Sequence, residues 1–357
     1  MTPREELKRR ELPPLLSREQ MCRIMQREVY GYLPSPDFSL SVSEPTVVEA
    51  RYLAGQVEHS FVHLRVTVGS RSHTFRVDRL LHKDGTKHPL IVYNDFHPEL
   101  KSPYFPTEEL SESDADFLVV YYREVTTDDG DFTDGLAPLL LPEGQQTDTD
   151  PGKIAVWAWA AMRVLDYGLT LSGTDADRVG IAGHSRLGKT AAYAAMMDER
   201  FRFVLSNCAG CTGDSLSHSN SGLLRTECTF ALGERIDDIV GTFPYWFCKN
   251  YRKYTEKNYA DTFDQHYLLG SIAPRKLLVV SCSEDHWADP RSQYLCALAA
   301  SEAWESMGET GLVCPDRYPE LGERYLDGGV GFCSFHLKHF MSRHAWRSFL
   351  EFIKIHG

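Results

Sequence analysis

The sequence predicts an α/β protein: a doubly wound, mostly parallel sheet with helices on both faces and antiparallel strands at its N-terminal edge. Three observations carry this. HPLIVYND (88–95) and DFLVVYYRE (116–124) are short, nearly continuous apolar runs, the composition of strands buried on both faces. Strand-like and helix-like patterns then alternate over about 250 residues, as a doubly wound sheet requires. Before them, SFVHLRVTVGS (60–70) places Val62, Leu64, Val66 and Val68 on one face, and SHTFRVDRLL (72–81) follows after a turn, the pattern of antiparallel strands.

Taken in order, residues 1–35 read as one or two helices, with Ser17 capping REQMCRIMQREVYGYL. They form a helical extension to a single domain spanning 1–357. In GKIAVWAWAAMRVLDYGL (152–169), Ile154, Trp157, Ala158, Ala161, Val164 and Leu165 recur at helical spacing. Strand RVGIAG (178–183), helix RLGKTAAYAAMMDE (186–199) and strand FRFVLSN (201–207) come next. An irregular, aromatic-rich insert covers about 211–265. Strand RKLLVVSC (275–282), an alanine-rich helix (292–308), a loop from Gly329 and a final helix HAWRSFLEFIKI (344–355) complete the chain.

Composition narrows the function classes. Hydrophobic residues at 42% and charged residues at 25% exclude a disordered or fibrous chain. No run of 18 apolar residues predicts a membrane helix. MTPREELKRRELPPLL lacks the apolar core of a secretory signal, so a cytoplasmic location is expected. A net charge of −12 argues against nucleic acid and anionic membranes as partners. The nine cysteines, several inside apolar runs, read as free thiols in a reducing compartment. Cys208 and Cys211 form a C-x-x-C with no second half at zinc spacing, so neither a metal nor another cofactor is expected.

The informative segment is Val179-Gly-Ile-Ala-Gly-His-Ser-Arg-Leu-Gly-Lys-Thr190, which runs strand, tight turn, helix. One reading is a nucleophile elbow. Gly183 lets the chain make a strained turn, Ser185 projects above the sheet edge, and the helix N-terminus donates N–H groups to an oxyanion. The usual form is G-x-S-x-G; here Leu187 takes the second small position and Gly188 follows one later. The other reading is a phosphate-binding loop, because Gly183-x4-Gly188-Lys189-Thr190 satisfies G-x-x-x-x-G-K-[ST] literally. Against it, the segment follows two sheet strands and a long helix, and the next strand ends in Asn207 rather than a magnesium-binding Asp.

A serine nucleophile has its partners downstream in the order Ser, acid, His, the order of an α/β-hydrolase. Asp285 follows the late strand 276–282, with Glu284 as an alternative acid and Asp289 as a further neighbour. The C-terminal loop offers His336, His339 and His344, and His339 is best placed before the last helix. His339 would take the Ser185 proton and return it to the leaving alcohol, while Asp285 fixes the imidazole tautomer. One oxyanion donor would be the Arg186 backbone N–H; a second is expected near Asp95 and Phe96.

The elbow Gly-His-Ser185-Arg186-Leu-Gly188-Lys189 resembles the G-x-S-R-x-G-K elbow of glucuronoyl esterases and their bacterial relatives, many labelled acetyl xylan esterases. The likeness continues through VVYYREVTTDDGDFTDG (119–135), IAVWAWAAMRVLDY (154–167), FPYWFCKNY (243–251), FDQHYLLGSIAPR (263–275) and SEDHWADP (283–290), and through the spacing of His339 and Trp346. It covers roughly residues 15–355. The resemblance implies an α/β-hydrolase that cleaves the ester between a 4-O-methyl-glucuronic acid on xylan and a lignin alcohol, or alternatively a sugar acetyl ester. It implies that Arg186 helps stabilise the oxyanion, that Lys189 binds sugar hydroxyls, and that Glu234 and Trp287 contact substrate. Aromatic residues of the insert, Phe230, Trp246 and Tyr259 among them, beside Arg225, Glu227 and Arg235, suit sugar rings, and two or three are expected to face substrate. One departure stands out. Many members carry a catalytic Glu 23 residues after the serine; this chain has Cys208 there, which assigns the acid to Asp285. The expected partner is a xylan-derived oligosaccharide or glucuronate ester.

Overall fold

In the computed structural model, residues 1–98, 100, 104–217, 233–255 and 262–357 are described. Among them, eleven strands join in one sheet: β1 Phe38–Val42, β2 Thr46–Arg51, β3 Val57–Val68, β4 Arg71–His82, β5 His88–Asp95, β6 Asp116–Tyr121, β7 Thr174–His184, β8 Phe203–Asn207, β9 Lys276–Cys282, β10 Arg324–Tyr325 and β11 Val330–Phe335. The order is β1-β3-β4-β6-β5-β7-β8-β9-β11-β10, with β2 also on β3. β6, β5, β7, β8, β9 and β11 run parallel. β1 to β4 are antiparallel at one edge and β10 at the other.

The continuous apolar strands are buried on both faces, as their composition demands. Leu90, Val92, Val179, Ile181, Val204, Leu277 and Val279 pack to one side, against helices Lys153–Gly168 and Arg186–Met197. The alternate residues Ile91, Tyr93, Ala182, Leu205, Leu278 and Val280 pack to the other, with Trp346, Phe349, Phe352 and Ile353 of the helix Arg343–His356. Each large apolar side chain so buried contributes about 1.5–3 kcal/mol.

The N-terminal segment is built into this core. Pro3–Arg10 and Arg18–Met25 are helices, each with a capping box, and the second continues as a π turn, Gln26–Tyr30. Met21, Met25, Val29 and Tyr30 join the main cluster. No helix among the described residues is long and apolar enough to cross a membrane.

Two elements differ from the sequence reading. Residues 330–335, expected as loop, form β11, because Val330, Phe332 and Cys333 find a parallel partner in β9, while two neighbouring glycines mask the strand pattern. The alanine-rich helix is two helices, Pro290–Ala300 and Glu302–Ser306, parted at Ser301. Of the insert, residues 218–232 and 256–261 lie outside the described residues, and with them Arg225, Glu227, Cys228, Phe230 and Tyr259.

Candidate active site

The carboxyl ends of the parallel strands converge on one edge of the sheet, where ligands of open α/β sheets bind. Ser185 follows β7, Cys208 follows β8, Asp285 lies three residues past β9 and His339 four past β11.

Ser185 is the turn between β7 and the helix Arg186–Met197, at φ 57° and ψ −128°. A non-glycine residue held there costs on the order of 1–3 kcal/mol. Its N–H donates to Asn207 O at 2.9 Å, and its carbonyl accepts from Gly188 N at 2.9 Å and Lys189 N at 3.1 Å. The strain therefore sits on the serine itself. Gly183, expected to supply the turn's conformational freedom, does another job: a Cβ there would lie 2.0 Å from Leu187 O, so glycine lets the helix start close against the strand.

The geometry disfavours a phosphate loop. The connection is one residue long. Thr190 Oγ1 donates to Arg186 O at 3.0 Å, and Lys189 Nζ turns inward to donate to Cys211 O at 2.6 Å and to Ala209 O. Neither is free for a phosphate or its magnesium.

Asp285 and His339 meet: His339 Nδ1 lies 2.6 Å from Asp285 Oδ2. The Asp285 side chain is 3% exposed and that of His339 42%. Asp285 Oδ1 also accepts from Ala288 N at 3.3 Å. Glu284, the alternative acid, faces outward and pairs with His336 Nε2 at 3.2 Å. The Ser185 hydroxyl and the His339 ring are not hydrogen-bonded to each other; such bonds are commonly loose before substrate binds. The His184 ring, next to the serine, lies 4.4 Å from the His339 ring. Asn207 Nδ2 donates to His184 Nδ1 at 2.7 Å. Burial, the neighbouring His339 and Arg186 hold His184 well below the ordinary histidine range, hence neutral.

Arg186 is clamped. Its guanidinium pairs with Asp128 and lies 4.6 Å over Trp246, 5.4 Å from Phe243 and 5.7 Å from Phe96. Asp128 also accepts from Trp246 Nε1 at 2.7 Å and Tyr122 OH at 3.0 Å. Trp246, expected to face substrate, is 4% exposed and stacked flat on Phe243 at 3.9 Å. It supports Arg186 instead, because its N–H is committed to Asp128. The expected donor region near Asp95 is likewise partly used: His97 N–H donates to Asp95 Oδ1 at 3.2 Å.

Glu234 is buried, and burial pushes its carboxyl up to about 7 against the pull of Lys189. Burial lowers Lys189, with Glu234 opposing. The backbone N–H of Glu234 donates to Trp287 O at 2.8 Å, tying it to the loop that carries Asp285. Trp287 itself is 57% exposed. Cys208 is buried at φ 49°. Sequence reasoning did not find Asp128, Asn207 or Asp214. Asp214 is wholly buried and accepts from Ser206 Oγ at 2.7 Å, Gly210 N at 2.6 Å and Gln293 Nε2 at 2.8 Å, which fixes the 208–214 turn. Buried acids of this kind carry no local signature, since their donors come from distant segments.

A family model described as "Glucuronyl esterase, fungi" matches residues 145–308. The chain is 34% identical over 205 residues to carbohydrate esterase MZ0003 from an unknown prokaryotic organism, covering 57% of this chain and 44% of that one. It is 32% identical over 159 residues to the 4-O-methyl-glucuronoyl methylesterase of Hypocrea jecorina (strain QM6a), covering 44% and 34%. The matches thus span less than half the length of these curated relatives. A solved glucuronoyl esterase from Solibacter usitatus superposes with a TM-score of 0.83 at 28% identity, covering 95% of this chain and 91% of that chain. A glucuronoyl esterase from Teredinibacter turnerae T7901, at 24% identity and a TM-score of 0.83, shares the fold over 96% and 88%. The architecture is the α/β-hydrolase fold.

Proposed function

We propose that this chain, whose sequence and fold resemble glucuronoyl-esterase-like carbohydrate esterases, is a serine carboxylic ester hydrolase acting on a glucuronoyl ester. The observation that carries the reading is the 2.6 Å Asp285–His339 contact at the sheet edge where Ser185 forms a strained one-residue elbow. In this reading Asp285 holds the Nδ1–H tautomer of His339, leaving Nε2 to take the Ser185 proton. The serine oxygen attacks the ester carbonyl, and His339 returns the proton to the departing alcohol. Water then repeats the sequence on the acyl-enzyme. The oxyanion receives the Arg186 backbone N–H, which heads a helix and has no intrahelical acceptor. The Arg186 guanidinium adds positive charge beside it, held in place by Asp128 and Trp246.

The sugar is assigned to the acyl side. Arg186 and Glu234 gather polar groups near the serine, whereas Lys189, expected to bind sugar hydroxyls, is buried and spends its ammonium on the Cys211 and Ala209 carbonyls; Trp287 offers an exposed ring face to a pyranose. The test is a direct comparison of benzyl glucuronate with p-nitrophenyl acetate and acetylated xylo-oligosaccharide, each with Ser185→Ala as control. Preferential, Ser185-dependent turnover of the glucuronate ester is expected. Turnover of the acetyl substrates alone would replace this reading with a deacetylase on the same scaffold, and wild-type-like activity in Ser185→Ala would remove the serine.

A further inference from the structure

We propose that Cys208, Asp285 and His339 together form a binding site for a thiophilic divalent cation, and that filling it switches the hydrolase off. Cys208 Sγ, a carboxylate oxygen of Asp285 and a ring nitrogen of His339 all lie within 4.8 Å of one another. A thiolate, an imidazole and a carboxylate make a zinc donor set. Tetrahedral zinc, with bonds of about 2.3 Å to sulfur and about 2.0 Å to nitrogen and oxygen, spaces its ligands roughly 3.3–3.6 Å apart. The cluster reaches that spacing by shifts of about an ångström, which side-chain rotation alone supplies.

Two features of the chain build the site. The turn after β8 holds Cys208 at φ 49°, on the side of Asp285 and His339. Behind it stands Cys282, the last residue of β9, in hydrogen-bonding reach of the Cys208 thiol, and a water completes the tetrahedron from the solvent side of His339. The half-exposed His339 ring gives the ion its way in.

The consequence follows from proton positions. Metal on His339 Nδ1 replaces the proton that Asp285 accepts. The single proton of a neutral imidazole must then sit on Nε2, the nitrogen that has to accept from Ser185. The Asp285 carboxylate moves onto the metal at the same time. Cys208 gives up its thiol proton to solvent, so each metal ion bound releases one proton. A site with a sulfur donor selects ions with strong affinity for sulfur. Zinc and cadmium qualify; magnesium and calcium, which take oxygen ligands, do not. The loss of activity rests on reading Asp285 and His339 as acid and base, whereas the binding does not.

The experiment titrates the full chain with zinc chloride, following heat, proton release and ester turnover. Expected are one zinc per chain above the uptake of Cys208→Ala, one proton released, turnover lost in step with occupancy and restored by EDTA, and no response to magnesium. Cys208→Ala should keep metal-free turnover within about threefold and need about 100-fold more zinc for the same effect, since one of three ligands is gone. Equal inhibition of wild type and Cys208→Ala overturns the proposal. Independently of any variant or activity, zinc-soaked wild-type crystals should show anomalous scattering bonded to Cys208 Sγ and His339 Nδ1. A zinc ion found only elsewhere, or none, also overturns it.

Discussion

Asp285 and Glu284 are adjacent carboxylates with opposite fates, because the tight turns after β9 (Asp285 N–H to Cys282 O, Ala288 N–H to Asp285 O) aim the two side chains to different sides. Asp285 turns in, is buried and meets His339; Glu284 turns out to His336. In the proposed reading, Asp285→Asn should lower kcat by about 10³–10⁴-fold by favouring the wrong imidazole tautomer, with Glu284→Gln little changed. Steady-state kinetics on one glucuronate ester decides it, and the reverse ranking would move the acid by one residue. Cys208 stands beside the same pair. Asp285→Ala should therefore be partly rescued by adding Cys208→Glu, which restores a carboxylate to the imidazole; a double variant no more active than Asp285→Ala would show that position 208 cannot reach it. Asp95 gives a pH signature. Burial pushes its carboxyl up to about 7, against its hydrogen bond from His97 N–H. In the unfolded chain it titrates near 3.8. Between those values the unfolded state gives up its proton first, so this group drains native stability as pH rises from about 4 to about 7. Asp95→Asn should therefore flatten the fall in Tm over that range, as thermal melts at several pH values would record.

The elbow is legible because it is local: strand, turn and helix occupy twelve contiguous residues, and the chemistry follows from their order. What the motif does not show is which residue carries the strain. Gly183 is required by the 2.0 Å approach of Leu187 O to the position of a Cβ, so Gly183→Ala should push the helix off the strand, lowering stability by about 3 kcal/mol and turnover with it. Denaturant unfolding measures the first and active-site titration the second; an unchanged midpoint would mean that the backbone yields cheaply. The helix that presents Ser185 also presents Arg186, whose anchor Asp128 lies 58 residues earlier, among several acids in VTTDDGDFTDG. Nothing local marks it. β11 escaped for a related reason: six residues containing Gly331 are a strand only because β9 lies beside them.

Across the whole molecule, the N-terminal helices act as a clasp rather than an appendage. Glu6, nearly fully buried, pairs with Arg10 at 2.7 Å and with Arg291, and accepts from Tyr318 OH. His266 Nε2 and Tyr267 OH contact Pro13 O and Pro14 O at 2.9 and 2.8 Å. Burial pushes the Glu6 carboxyl up, but hydrogen bonds from Arg291, Tyr318 and Arg10 outweigh it and hold it below its ordinary value. Its contribution is thus present above about pH 4.5 and lost as pH falls through its folded value. Glu6→Gln should lower Tm at pH 7 while leaving kcat and KM unchanged, because its partners Arg10, Arg291 and Tyr318 include none of the proposed catalytic or substrate-contacting residues; a change in KM would tie the N-terminus to the substrate site. The sequence by itself determined the α/β class, the strand–turn–helix that carries Ser185, and the chain order in which Ser185, Asp285 and His339 follow their strands, because periodicity, turn chemistry and chain order are properties of short segments. Only the tertiary structure decided that Asp285 rather than Glu284 meets His339, that Trp246 supports Arg186 with Asp128, and that Cys208 stands against Asp285 and His339. Those outcomes depend on which residues from distant strands share one sheet edge, and burial there, not spacing along the chain, selects the partner of each polar group.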